Sequence, residues 1–375
     1  MQVEDGPSAP AAASPPAQTR SGAQGGRAGR RTLFHKFKNR DLLEFMHSQG
    51  RKRKAQQQGG SSGGGSEMSM LPGHTTVQAA LDELREKNFL AMPVLGEQKK
   101  IIGILSTVDI VAAAIFHPVY TRHDETATEK LKVKDVRALL RNGKVFQTPV
   151  KGLIGITEES RVLWEYWDDG DLRYLTERLS RTAHRALILR RNPSQQSCMV
   201  TQIDVVRFIR AKLKEDTKLA AYTMQPLRKL GVVNMKKLVT IKETDRALLG
   251  FRRLWQGCNR YRDWSVSAVP VVDSKGNLKG TLSGSDMRGM NASKLELLML
   301  PVMEYLKEIN NSFWVRNPIT VNLENTLEEA VSLVLDSNVH RLWVVGKGDD
   351  ETKVIGVLSL TDIIKAFSKL DLNGL

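Results

Sequence analysis

Cysteine is almost absent: Cys198 and Cys258 are the only two in 375 residues, far apart and without Cys-x-x-Cys spacing. That argues against a disulfide framework or a thiolate zinc site and fits a reducing compartment, cytoplasmic with the nucleus as an alternative. No apolar run approaches the ~18–20 residues that cross a bilayer. The N-terminus lacks the apolar core of a secretory signal, and early Glu4 and Asp5 with sparse Ser weigh against an organelle transit peptide. The seven histidines do not gather with Cys or carboxylates at metal-ligand spacing, and neither GxxxxGK[ST] nor GxSxG occurs. The expectation is a chain without catalysis and without a bound metal. Aromatics are 6% of the chain, and Trp164, Trp167, Trp255, Trp264, Trp314 and Trp343 read as core or pair-interface residues rather than base-stacking platforms.

What is present is a globular balance, 41% apolar and 26% charged, with a basic surplus of +15. The surplus is uneven, since residues 1–66 hold eleven basic and four acidic side chains. Such a surplus suits nucleic acid, an acidic membrane face or polyanionic ligands and does not choose among them. Residues 1–31 are low-complexity and are expected to be disordered. Leu33–Gly50 sets Phe34, Phe37, Leu42, Phe45 and Met46 near one face of a short helix, suited to a membrane, a partner or its own domain. Arg51–Glu67 joins a four-residue basic cluster to a Gly/Ser linker. The whole of 1–66 is therefore expected to be a disordered basic tail and linker.

From about Leu71 to Phe367 the chain repeats itself. "IIGILSTVDIVAAAI" (Ile101–Ile115) returns as "SCMVTQIDVVRFI" (Ser197–Ile209), "LKGTLSGSDMRGM" (Leu278–Met290) and "VIGVLSLTDIIKAF" (Val354–Phe367). Each has an apolar strand candidate, a Ser or Thr, two residues, an Asp, and an amphipathic helix start. Upstream of each lies a strand–helix–strand block. In the fourth, Thr326 and Glu329 predict a capping box, and Leu327, Val331, Val334 and Leu335 share one helix face. Units this small bury both sheet faces only by packing in pairs, which predicts an α/β repeat protein.

Four copies closing on G-h-h-[ST]-x-x-D (h apolar) resemble cystathionine-β-synthase (CBS) domains. The resemblance divides the chain into CBS repeats at 67–130, 131–215, 216–300 and 301–375, the first two paired as one Bateman module and the last two as another. "VHRLWVV" (Val339–Val345) and "LPVMEYLKEINN" (Leu300–Asn311) make the layout similar to the γ regulatory subunits of AMP-activated and sucrose-nonfermenting-type protein kinases, in the γ-like branch found in plants. That resemblance implies AMP, ADP or ATP as regulatory ligand, a kinase α subunit and a scaffold β subunit as partners, and no catalysis.

The pairs Ser106/Asp109, Thr201/Asp204, Ser283/Asp286 and Ser359/Asp362 satisfy a helix cap with no ligand. Capping boxes usually end in Glu or Gln, and the shorter Asp is expected to reach back less well and to project outward, where its oxygens suit the hydroxyls of a ribose. The resemblance implies that role for all four Asp. It also implies that His184-Arg185 and His340-Arg341, each opening a strand, reach the nucleotide phosphates. The chemistry agrees, since guanidinium forks onto phosphate and imidazole donates to it.

The first and third repeats depart from the pattern, with Leu90-Ala91 and Ser267-Ala268 in place of His-Arg. The second has Cys198 where the others have Gly103, Gly280 and Gly356, which weakens its pocket. His184-Arg185 would then serve a nucleotide clamped by Asp109, His340-Arg341 one clamped by Asp286, and Asp362 would hold its own, giving one to three occupied sites. The competing readings are a CBS scaffold without nucleotide response and a nucleic-acid-associated protein using the basic tail.

Overall fold

The computed structural model describes residues 33–56, 68–115 apart from 99, 144–157, 160, 162–236 apart from 182 and 193, 238–260, 266–288, 290–312 and 315–370. The expected low-complexity tail through residue 32 and the Gly/Ser linker at 57–67 lie outside them.

Four three-stranded sheets repeat one topology. They comprise β1 (Leu71–Pro72), β2 (Ala91–Leu95) and β3 (Ile101–Ser106); β4 (Glu165–Trp167), β5 (Arg185–Leu189) and β6 (Cys198–Thr201); β7 (Ile241–Lys242), β8 (Ala268–Val272) and β9 (Leu278–Ser283); and β10 (Thr320–Val321), β11 (Arg341–Val345) and β12 (Val354–Ser359). In each the first strand runs parallel to the second through a crossover helix, and the third is antiparallel. Helix Leu327–Asp336 shows why the crossovers form. Thr326 Oγ1 accepts from Glu329 N at 3.1 Å, Glu329 Oε2 accepts from Thr326 N at 3.0 Å, and Leu327, Val331, Val334 and Leu335 are buried.

A lead-in segment before each repeat docks on a different repeat, by one shared set of backbone bonds. Residues 144–153 sit on the first repeat (Val77 N to Thr148 O, 3.0 Å; Val150 N to Thr75 O, 2.8 Å) and residues 33–46 on the second (Leu172 N to Phe37 O, 3.0 Å; Asn39 N to Gly170 O, 2.9 Å). Residues 300–309 sit on the third (Ala247 N to Leu300 O, 3.0 Å; Val302 N to Asp245 O, 2.8 Å) and residues 226–230 on the fourth (Leu327 N to Gln225 O, 3.3 Å; Leu227 N to Asn325 O, 2.9 Å). The exchange ties first to second and third to fourth, and it uses crossover-helix N–H groups that have no partner inside the helix.

The segment expected to be a disordered tail is corrected here. Leu33–Lys36 form a 3-10 helix and Asn39–Gln56 an α-helix, and Leu33, Phe34, Leu42 and Leu43 are buried in the core that joins the second and fourth repeats. Phe37 and Phe45 pack edge-on against Phe208, with ring centroids 5.1 and 5.6 Å away. Of the three partners the apolar face suits, it covers its own domain, because those side chains pack with the helices of the second and fourth repeats. A second core joins the first and third repeats, so the two pairs are held together crosswise.

The third repeat also departs from expectation. After Ser283 there is a 3-10 turn, Gly284–Met287, where the spacing predicts an amphipathic helix. Asn291 then caps a separate 3-10 helix, Ala292–Met299, by accepting from Lys294 N. Trp343 behaves as a pair-interface residue: it is 3% exposed, and its Nε1 donates to Thr281 Oγ1 at 2.8 Å across the third and fourth sheets. Trp164 and Trp167 are partly buried beneath the guanidinium groups of Arg178 and Arg191, while the side chains of Trp255, Trp264 and Trp314 lie outside the described residues.

Candidate functional site

Strand register brings the two sequence motifs to one end of every sheet. The cap residue on the third strand faces the second residue of the dipeptide on the middle strand: Ser106 opposite Ala91, Thr201 opposite Arg185, Ser283 opposite Ala268, and Ser359 opposite Arg341. The N–H after each cap then bonds to the carbonyl of the dipeptide's first residue: Thr107 to Leu90, Gln202 to His184, Gly284 to Ser267, and Leu360 to His340, at 2.9 to 3.2 Å. Wherever His-Arg is present, it therefore stands beside a Ser/Thr-x-x-Asp.

The carboxylates do reach back, contrary to the expectation for a shorter acid. One oxygen, Oδ2, accepts from the cap N–H in every repeat, at 2.8 Å for Asp109, 3.0 Å for Asp204, 2.7 Å for Asp286 and 2.9 Å for Asp362. The same oxygen accepts the cap hydroxyl at 2.6, 2.6, 2.9 and 2.5 Å in that order. The extended backbone of the cap residue folds its N–H toward the first turn, where a short side chain suffices.

The other oxygen separates the four. Oδ1 of Asp109 accepts from Thr157 Oγ1 at 2.6 Å and Thr157 N at 3.2 Å, and the residue is fully buried. Oδ1 of Asp204 faces Arg207 Nη1 at 3.4 Å. Neither Asp286 nor Asp362 has a hydrogen bond to Oδ1 among the described residues, and both are half-buried. Burial raises the carboxyls of Asp109, Asp286 and Asp362 above the usual aspartate value, against the lowering effect of their cap bonds.

The cations converge on the third-repeat carboxylate. Arg341 Nη2 donates to Ser267 Oγ at 2.6 Å. Burial lowers the Arg341 guanidinium to about 10, while the charge of Asp286 pulls it back up. His340 keeps exposed surface, yet desolvation by the protein around it, helped by the charges of Arg341, His184, Arg185 and Arg288, holds its imidazole down to about 4. Thus His184-Arg185, from a different repeat, lies within electrostatic reach of His340. Arg288, which the repeat pattern does not single out, joins them. The one sequence signal for it is a basic residue two positions past Asp286, where the other repeats have Val111, Val206 and Ile364.

The glycines have a local task. A Cβ on Gly103 would lie 2.6 Å from Ile154 Cγ2 and 2.8 Å from Ser160 O, and one on Gly356 would lie 2.9 Å from Val233 Cγ1. The close approach is by the chain itself, so Cys198 in the second repeat is no argument against a ligand there. The weakness of that site is the Arg207 pairing.

The CBS domain family profile matches residues 67–115 and 315–369, so the chain carries CBS domains. It is similar to a SNF1-related protein kinase regulatory subunit gamma-like protein of Arabidopsis thaliana, 24% identical over 304 residues, which cover 72% of this chain and 76% of that protein. It is also similar to the 5'-AMP-activated protein kinase subunit gamma of Saccharomyces cerevisiae, 22% identical over 300 residues, 77% of this chain and 83% of that one. Among solved structures, a putative archaeal homologue of gamma-AMPK from Methanocaldococcus jannaschii has the same fold. Its TM-score is 0.58 over 81% of this chain and 97% of that one, at 18% identity.

Proposed function

We propose that the chain is a non-catalytic regulatory subunit that binds adenine nucleotides (AMP, ADP or ATP) between its CBS repeats and regulates a Ser/Thr protein kinase. The observation that carries this is the third-repeat site. A capped Asp286 keeps one oxygen without a hydrogen-bond partner among the described residues, and Arg341, bonded to Ser267, acts on it from the fourth repeat. A carboxylate oxygen accepts hydroxyls of a ribose, and guanidinium and imidazole groups nearby suit phosphate. Asp362 offers the same acceptor in the fourth repeat. The similarity to proteins named as gamma subunits supports a kinase α subunit and a scaffold β subunit as partners. Nucleotide regulates only insofar as it binds two arrangements of the repeats with different affinity.

The engaged oxygens of Asp109 and Asp204 favour a second reading for half the molecule, in which the first and second repeats are scaffold. Titration calorimetry of the full chain with AMP, ADP, ATP and S-adenosylmethionine tests both. Asp286→Ala and Asp362→Ala should each remove one adenine-nucleotide site, while Asp109→Ala and Asp204→Ala should leave the number of sites unchanged. No binding by wild type at millimolar nucleotide would leave the scaffold reading alone.

A further inference from the structure

The positive cluster around His340 includes a residue that the repeat pattern does not supply. Arg288 follows the 3-10 turn Gly284–Met287. In the other repeats the position two past the Asp lies within an α-helix and holds Val111, Val206 or Ile364, all buried in the core. Stopping the helix after one turn changes the direction of this side chain. Arg288 Nε donates to Ser285 O at 3.3 Å, and Nη1 donates to Asn88 Oδ1 at 2.5 Å. Asn88 has φ 55° just past helix Val77–Glu86 and stands two residues before Leu90. The guanidinium therefore reaches from the third repeat to the edge of the first, next to the place where Leu90-Ala91 replaces His-Arg. It lies within electrostatic reach of Asp286 and His340, and Arg316 adds a further like charge.

We propose that Arg288 is the phosphate-specificity residue of the Asp286 site, supplying from the third repeat the cation that the first repeat lacks. This rests on the nucleotide reading above. Like charges brought together at partial burial cost free energy, and one carboxylate offsets little of it. An anion seated among Arg288, Arg341 and His340 offsets the rest, and a planar fork held at one end by Asn88 is pre-oriented to bind it.

Calorimetric titration of the full chain with AMP and with adenosine tests the inference, using wild type, Arg288→Met and Asn88→Ala. Arg288→Met keeps the apolar stem and should weaken AMP roughly tenfold or more, the worth of a charge-assisted hydrogen bond. Adenosine affinity should not change, and the salt dependence of AMP binding should become shallower. Asn88→Ala leaves the charge in place but loosens it, so AMP should weaken by a smaller factor with adenosine again unaffected. If Arg288→Met fails to fold, Asn88→Ala carries the test alone. Equal losses for AMP and adenosine would make Arg288 a support of the turn and overturn the proposal, as would unchanged AMP affinity in both variants. Wild type binding neither ligand would instead overturn the nucleotide reading itself.

Discussion

Thr157 Oγ1 lies 2.6 Å from Oδ1 of Asp109, and its N–H reaches the same oxygen at 3.2 Å. A hydroxyl of the chain thus stands where the resemblance would put one of a ribose. On the reading proposed above, the first repeat is scaffold and its aspartate serves the fold. Asp109→Ala would strand the N–H groups of Ser106 and Thr157 with two hydroxyls in a buried place. The expected cost is on the order of 3 kcal/mol, at 1–3 kcal/mol for each unmade bond with partial rescue by water. Thermal unfolding should show a large drop in Tm while calorimetric stoichiometry for AMP stays at the wild-type value. A lost AMP site with an unchanged Tm would contradict this.

Asp286 and Asp362 should respond in the opposite sense. In Asp286→Asn and Asp362→Asn the amide oxygen can still accept the cap N–H and hydroxyl, but the NH2 no longer accepts from a ligand. Burial raises the folded carboxyls above 3.8. The native state therefore binds more protons than the unfolded state just above that pH, so the stability they contribute is present at low pH and lost as pH rises through the folded value. At pH 7 the full burial cost of the charge is present. Both variants should raise the Tm of the ligand-free chain at pH 7, lose that gain toward pH 3, and bind AMP worse. Asp109→Asn should instead lower Tm, because its NH2 would face the Thr157 donors.

The strands, their register ends and the four Ser/Thr-x-x-Asp boxes were legible in sequence because each is local: a pleat period, a cap, a turn of helix. What was not legible depends on segments distant in the chain. The lead-in exchange leaves only the tripeptides Thr148-Pro149-Val150, Gln225-Pro226-Leu227 and Leu300-Pro301-Val302, which read as loop punctuation, and Lys38 stands where the fourth proline would be. Thr157 meets Asp109 across 48 positions. Arg288 meets Asn88 across 200, and no period announces it.

The lead-in exchange makes residues 33–56 part of the fold, which separates them from the basic residues before them. Phe34 is fully buried in the core of the second and fourth repeats. Phe34→Ala should cost about 3–5 kcal/mol, the usual range for a buried aromatic. Truncation to residue 57 should unfold or aggregate the chain, whereas truncation to residue 33 should leave Tm within a degree or two. Binding of the full chain to anionic vesicles should not change in Phe34→Ala, since that side chain does not face outward. A Phe34→Ala variant with wild-type Tm and weakened vesicle binding would restore the membrane reading of this helix.

His340 offers a proton count that reports phosphate directly. Its imidazole is held at about 4 against an ordinary 6.5, first by burial and then by Arg341, His184, Arg185 and Arg288. In the free chain it is therefore neutral across most of that interval. A phosphate seated beside it adds negative charge, which favours imidazolium and raises its pKa. Binding of AMP between pH 4 and 6.5 should then draw a proton onto His340. The phosphate's own second ionisation, near pH ~6, works the other way as cations favour the dianion. The imidazole's share is therefore the difference between wild type and His340→Gln. Calorimetry in two buffers of different ionisation heat gives the protons exchanged for each. Wild type should take up more protons than His340→Gln at the acid end of the interval, with the difference vanishing at pH 8. Equal proton counts at every pH would place the phosphate away from His340 and remove the imidazole from the site.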